Sequence, residues 1–217
     1  SVTRERQFIQ DASHELRTPL TSLRANSELL ERPELTNDER GAILRDMRAE
    51  VDALTAISSE LSTLATDQRY SEAAISINLS DATEVVVERM RRRSKRNINF
   101  ASLPADSHAN NIIQVRHAQF ERALTNIIDN ALKFSPDDTS VEVQVGHRSV
   151  TVIDHGPGIT EKDRPNIFTR FFRADATRSM PGSGLGLAIV QQFAADHNGS
   201  VEVVDTPGGG ATFHLRL

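Results

Sequence analysis

A histidine, a carboxylate and, one helical turn on, a hydroxyl stand together in Phe8-Ile9-Gln10-Asp11-Ala12-Ser13-His14-Glu15-Leu16-Arg17-Thr18-Pro19-Leu20. An imidazole with an unprotonated ring nitrogen is a nucleophile near neutral pH, because its ordinary pKa is about 6.5. A neighbouring carboxylate, Glu15, can accept a hydrogen bond from the other ring nitrogen. It then orients the ring and stabilises the cation that forms on attack. The spacing leaves His14 open for such work. Ile9, Ala12, Leu16, Leu20 and Leu23 recur at three- and four-residue steps and make the apolar face of an amphipathic helix. His14 falls between Ala12 and Leu16, roughly 160–200° from either, so the pattern directs it outward. Pro19 lacks the amide that would bond the Glu15 carbonyl, which predicts an interruption and a local bend beside the histidine. Thr18 lies on the same side as His14, one turn along.

Three later segments suit a nucleotide. In Asn126-Ile127-Ile128-Asp129-Asn130-Ala131-Leu132-Lys133-Phe134, residues Asn126, Asn130 and Lys133 share one helix face. Amide oxygens there can ligate Mg²⁺ and the lysine can meet phosphate oxygens. In Val150-Thr151-Val152-Ile153-Asp154-His155-Gly156-Pro157-Gly158-Ile159, a carboxylate ends an apolar strand, placed to accept a hydrogen bond from an exocyclic amine such as adenine N6. Gly156 and Gly158 let the backbone turn tightly beside a flat ring. In Gly182-Ser183-Gly184-Leu185-Gly186-Leu187, glycines lead into an apolar helix whose first amides can face phosphates. No Lys-Ser/Thr follows, so this is not a Walker loop, and Leu187 breaks the dinucleotide-binding spacing. Each segment alone is an ordinary solvated helix face or turn; their order is what gives them weight.

The elements that must position these residues fall into two parts. A helix from about Thr3 to Glu31 is broken by Arg32-Pro33-Glu34-Leu35-Thr36-Asn37, where Thr36 or Asn37 can cap a second helix running to about Ala65. Ile43, Met47, Leu54, Ile57, Leu61 and Leu64 form a heptad seam interrupted by Glu50, while Leu44, Val51 and Ser58 widen the apolar side. Two such helices bury little surface alone. A dimeric four-helix bundle is therefore expected, with a hairpin packed on the following domain as the alternative. After a linker at Asp67–Glu72, strands are predicted at Ile75–Leu79, Ile98–Ser102, Val141–Val145, Val150–Asp154, Ser200–Val204 and Ala211–Leu217. Helices are predicted at Asp81–Lys95, His117–Phe134 and Gly186–His197. The expected class is α+β: a helical hairpin over residues 1–67, then over 73–217 an α/β sandwich with one face of a mixed sheet covered by helices.

With 217 residues, 38% hydrophobic and 25% charged, the chain reads as globular. A net charge of −5 argues against a nucleic-acid binder. The basic cluster Arg89, Arg91, Arg92, Arg93, Lys95 and Arg96 reads as the solvated end of a helix. The absence of cysteine excludes disulfides, thiolate metal sites and a cysteine nucleophile. No apolar run is long enough for a membrane span, so no membrane contact is expected of this segment. The start at Ser1, almost on the histidine motif, reads as a fragment with an upstream portion missing.

Taken in order, the His14-Glu15 segment, the asparagine segment, the Asp-x-Gly-x-Gly turn, Phe168-Thr169-Arg170-Phe171-Phe172, the Gly-x-Gly-x-Gly loop and Gly210-Ala211-Thr212-Phe213 resemble the phosphoacceptor and catalytic domains of bacterial two-component sensor histidine kinases. Their ATP-binding fold is shared with gyrase, Hsp90 and MutL. The resemblance implies ATP and Mg²⁺ as cofactors: Asn130 binding the metal with Asn126 nearby, Lys133 contacting phosphate, and Asp154 reading adenine in a pocket shaped by Gly156 and Gly158. Gly182, Gly184 and Gly186 would border the phosphates at the end of a lid over about 173–183, anchored by Phe168, Phe171 and Phe172, with Arg173 and Arg178 both candidates for the γ-phosphate. Hydrolytic ATPases of this fold carry a glutamate at the position of Asn126, and an amide cannot take a proton from water. The implied reaction is phosphorylation of His14, then transfer to an aspartate of a separate response regulator. Thr18 would position water for dephosphorylating that regulator. The resemblance further implies a homodimer and the cytoplasmic portion of a membrane-anchored sensor. A conformational ATPase and a regulator-binding module that holds ATP without transferring phosphate are the competing readings.

Overall fold

The computed structural model describes residues 2–69, 72–102, 111–177, 180 and 182–217; the side chains of 2–11, 14, 15, 56, 59–69 and 176 lie outside that description. The chain divides into two compact units, 1–71 with 173–185, and 72–172 with 186–217.

The first unit is built on α1 (Val2–Leu30) and α2 (Asn37–Arg69). The expected interruption at Pro19 does not occur: α1 runs through it unbroken. A proline removes one hydrogen bond of a long ladder, and Pro19 is itself buried. Thr21 Oγ1 adds a bond to the Arg17 carbonyl at 2.8 Å in the weakened turn. Thr36, not Asn37, opens α2. Its backbone amide and hydroxyl both donate to Glu39 Oε2, at 2.9 and 2.8 Å, and its hydroxyl accepts the Glu39 amide at 3.3 Å. This is a capping box written Thr-Asn-Asp-Glu. Along α2 the heptad seam turns inward, with Ile43, Met47 and Leu54 half-buried and Ile57 buried. Leu61 and Leu64 lie among the side chains not described. Leu20, Leu44 and Val51 remain 55%, 46% and 50% exposed.

The second unit contains β1 (Ile75–Asn78), α3 (Leu79–Ser94), β2 (Ile98–Ser102), β3 (Ile112–Val115), α4 (His117–Phe134), β4 (Val141–Gly146), β5 (Ser149–Ile153), α5 (Gly186–Asp196), β6 (Ser200–Asp205) and β7 (Ala211–Arg216). Strands β2-β4-β5-β7-β6 form one mixed sheet in which only β2 and β4 are parallel. β1 and β3 pair antiparallel as a separate ribbon. Registers bring like residues together. Phe100, Val143, Val152, Phe213 and Val203 lie in one cross-strand row, and Val145, Val150, Leu215 and Val201 in another. These rows meet the apolar faces of the three helices, where Val86, Met90, Phe120, Leu124, Ile128, Val190 and Phe193 are buried. Alternate residues of the strands, such as Glu142, Gln144, Thr151 and His214, lie on the opposite face. In this unit the predicted helices and strands agree to within two residues at each end, and β3 is additional. By contrast, α2 runs four residues past its expected end at Ala65, so that Asp67, Gln68 and Arg69, read as linker, are helical.

Candidate functional site

α4 carries the asparagine stripe because its two faces differ. Phe120, Ala123, Leu124, Ile127, Ile128, Ala131 and Leu132 are buried, while Asn126, Asn130 and Lys133 are half-buried along one edge. Asn126 Nδ2 donates to the carbonyl of Gly186, the first residue of α5, at 3.3 Å. With one N–H engaged there, the amide oxygen is left to meet a cation, and the second N–H to meet a phosphate oxygen. A Cβ on Gly186 would meet Asn126 only at 3.6 Å or more, so close packing does not itself demand glycine there. Lys133 Nζ lies 5.0 Å from the centroid of the Phe134 ring, a cation–π contact at the stripe's end.

Asp154 follows β5 and is buried, at 3% exposure. Its amide bonds the Ala211 carbonyl at 2.9 Å, continuing the β5–β7 ladder, and its side chain then replaces the backbone as acceptor. Oδ1 takes the amides of Gly156 and Ala211 at 2.9 and 3.0 Å. One carboxylate oxygen is thereby fixed by two backbone donors, and the other is available to a ligand amine. Close backbone approaches enclose this group. A Cβ at Gly156 would lie 2.5 Å from the Phe134 carbonyl oxygen, and one at Gly210 only 2.0 Å from the Asp154 carbonyl oxygen. Gly158, with φ 76°, would meet the Gly210 carbonyl oxygen at 3.1 Å. The end of α4, the Asp154 turn and the β6–β7 turn thus converge because three glycines leave room. Beside them Arg164 pairs with Asp205 at the end of β6 and holds that carboxyl below the usual carboxylate range.

The remaining expected residues belong to the first unit. His14 and Glu15 lie in α1 with side chains outside the description, and Thr18 is exposed on the same helix. Gly182 and Gly184 lie in the segment 173–185, with φ of 144° and 75° that favour glycine. Arg173 donates to the carbonyls of Thr177, at 2.9 Å, and Met180 within that segment; Arg178 lies outside the described residues. His155 sits 3.4 Å from Glu142 on the open side of the sheet.

The basic cluster is a solvated face only in part: Arg89, Arg92, Arg93 and Lys95 are exposed, yet several members also have partners. Arg89 pairs with Glu121 at 3.1 Å and Arg93 with Asp129, joining α3 to α4, while Arg91 bonds Glu88 and the Ile98 carbonyl. Arg96 reaches the carbonyls that end α4. Opposite charges 32 and 36 residues away thus partner Arg89 and Arg93, which composition alone leaves without one. Two further contacts went unforeseen. Glu72, read as linker, accepts the Ala118 amide on both carboxylate oxygens, at 3.1 and 3.2 Å, and so caps α4, whose own N-cap residue Arg116 offers no side-chain bond. His197 accepts the Arg116 amide at 3.1 Å and donates from Nδ1 to the Phe193 carbonyl at 2.8 Å. Among the described residues no group of three or more histidines and carboxylates could hold a metal unaided. The donor set instead fits Mg²⁺ carried by phosphate oxygens and one or two amides.

Comparison with known proteins agrees with this fold. Residues 116–217 match the sequence profile of the histidine kinase-, DNA gyrase B- and HSP90-like ATPases, and residues 4–69 that of the His Kinase A phospho-acceptor domain. The chain is 39% identical over 233 residues to the signal transduction histidine-protein kinase/phosphatase MprB of Mycolicibacterium smegmatis, covering 99% of this chain and 46% of that protein. It is 37% identical to the MprB of Mycobacterium sp. strain KMS, covering 99% and 44%. The chain thus spans less than half the length of these curated relatives. Among solved structures, a mycobacterial sensor histidine kinase MprB superposes with a TM-score of 0.56 at 32% identity, over 66% of this chain and 96% of that one.

Proposed function

We propose, because the chain belongs to the sensor histidine kinase family, that it transfers the γ-phosphoryl group of ATP to its own His14 and from there to an aspartate of a separate response regulator. The observation that carries the reading is Asp154. A buried carboxylate with one oxygen fixed by two backbone amides is a rigid acceptor for the adenine amino group. The stripe Asn126, Asn130 and Lys133 begins one helix end away from that acceptor, through the contact of Phe134 with Gly156. Asn130, with Asn126 beside it, would hold Mg²⁺, which supplies charge neutralisation on the phosphates. Lys133 would add a cation to the same oxygens. Gly182 and Gly184 would border the phosphates, and Gly186 opens a helix whose first amides suit them.

In the transfer, a bond forms between a ring nitrogen of His14 and phosphorus as the bond to the departing ADP oxygen breaks. Glu15 would accept the proton of the other ring nitrogen in a hydrogen bond and stabilise the cation produced. Asn126 stands where hydrolysis would need a base, and an amide supplies none, which favours a protein nucleophile over water. Thr18 is exposed one turn from His14, and the kinase/phosphatase naming of the curated relatives supports its use in positioning water on the phosphorylated regulator. Residues 1–67 would serve as dimerisation and phosphoacceptor domain and 73–217 as ATP-binding domain. Half-exposed Leu20, Leu44 and Val51 support a homodimer that covers them. We further propose that the whole protein is a membrane-anchored sensor with this portion in the cytoplasm, where ATP and the regulator are found. Among the described residues no helix is long and apolar enough to cross a membrane.

Incubation with Mg²⁺ and γ-labelled ATP tests the reading. Label stable to base, lost in acid and absent from His14→Gln is expected. Nucleotide binding without such label would leave a regulator-binding module, and turnover that survives His14→Gln would indicate a conformational ATPase.

A further inference from the structure

We propose that Arg96 is a positioning residue for base recognition, holding the end of α4 so that Asp154 keeps the orientation in which it reads adenine; this rests on the reading of Asp154 above. Arg96 follows α3, where Lys95 adopts a left-handed cap with φ 55°. Its side chain is 15% exposed. Nη1 donates to the Leu132 carbonyl at 3.3 Å and to Asp137 Oδ1 at 2.8 Å, and Nη2 to the carbonyls of Ser135 at 3.5 Å, Thr139 at 3.3 Å and Pro136. Nε is buried and unpartnered. One planar guanidinium therefore gathers four backbone carbonyls on both sides of the point where α4 stops.

The last carbonyls of a helix lack helical partners and favour a cation. Here Ser135 N–H takes the Ala131 carbonyl at 3.0 Å, and Arg96 takes the next. The Phe134 carbonyl lies within this clamped stretch, and it is the group that a Cβ on Gly156 would meet at 2.5 Å. Gly156 in turn donates its amide to Asp154 Oδ1. Arg96, the 132–139 turn, Phe134, Gly156 and Asp154 thus form a continuous set of contacts. At its far end is the atom pair that sets the carboxylate's orientation. A lysine would place one charge there but could not span four carbonyls in a plane. Arg96 lies outside every glycine and asparagine segment that marked the site in the sequence.

The test is calorimetric binding of ATP and GTP to the full chain, as wild type, Arg96→Ala, Arg96→Lys and Asp154→Asn, with folding followed by circular dichroism. Guanine offers a carbonyl where adenine has its amine, so the ratio of the two affinities reports the Asp154 contact. A loss of stability alone lowers both affinities together and leaves the ratio unchanged. Asp154→Asn is expected to lower the ratio about tenfold or more. Arg96→Ala is expected to lower it about fivefold, and Arg96→Lys to recover the melting temperature without recovering the ratio. An unchanged ratio in Arg96→Ala beside a collapsed one in Asp154→Asn overturns the positioning role alone. Should Arg96→Ala fail to fold, a wild-type ratio in Arg96→Lys overturns it instead. An unchanged ratio in Asp154→Asn overturns the adenine reading and the Arg96 proposal with it.

Discussion

Gly208 and Gly210 occupy the same turn between β6 and β7, with φ of 90° and 113°, yet a methyl group would meet different surroundings at each. At Gly208 nothing lies within 4 Å, whereas at Gly210 the Asp154 carbonyl oxygen is 2.0 Å away. Gly208→Ala should therefore cost only backbone strain, about 1 kcal/mol. Gly210→Ala should cost on the order of 3 kcal/mol or more and also weaken ATP binding. Thermal unfolding with and without ATP separates the two; equal shifts in both variants would show that the close approach to Asp154 does not matter. At this scale the sequence was legible where chemistry and spacing coincide, as in Asn126, Asn130, Lys133 and Asp154. Arg93 and Arg96 were not legible, because their acceptors lie 36 to 43 residues further along the chain. A local pattern contains no record of such partners.

Elements announce themselves through their ends as well as their periods. Thr36 or Asn37 was visible as a start signal, but the partnership of Thr36 with Glu39 was not read; their mutual bonds hold Glu39 below the usual carboxylate range, the backbone amide of Thr36 contributing most. A carboxyl whose pKa is depressed on folding stabilises the helix above its unfolded pKa, and that contribution disappears as pH falls through the folded value. The start of α2 should accordingly weaken on acidification below the ordinary glutamate range. Glu39→Gln should be less stable at neutral pH and lack this part of the pH dependence. Melting temperatures measured from pH 6 to pH 3 would decide it, and parallel curves for the two proteins would contradict it. The strand β3 escaped the sequence reading because Ile112–Val115 is four residues long and, among the described residues, pairs only with β1. Such a segment carries one alternation of apolar and polar residues, too little to distinguish it from a loop. The unbroken α1 has the opposite lesson: a single proline signal was outweighed by the helix on either side of it.

For the whole molecule, the exposed face of the helical hairpin carries the strongest expectation. Leu44 and Val51 are seven residues apart on α2, each about half exposed, and Leu20 on α1 is equally open. Leu44→Asp combined with Val51→Asp should convert a dimer to a monomer in sedimentation while leaving ATP binding intact; an unaltered dimer would exclude this face as the contact. The second unit has a boundary of its own kind. Glu72 stands just before β1 in the chain but spends its carboxylate on the first turn of α4, and its carbonyl accepts Arg116 Nε at 3.2 Å. A recombinant ATP-binding fragment cut at residue 73 would retain every strand, yet its nucleotide helix would open with a bare amide. Relative to one cut at residue 70, it should melt a few degrees lower, since a lost cap is worth about 1 kcal/mol. The place to cut this protein is set by a hydrogen bond reaching 46 residues ahead, not by the change in composition that marks the linker.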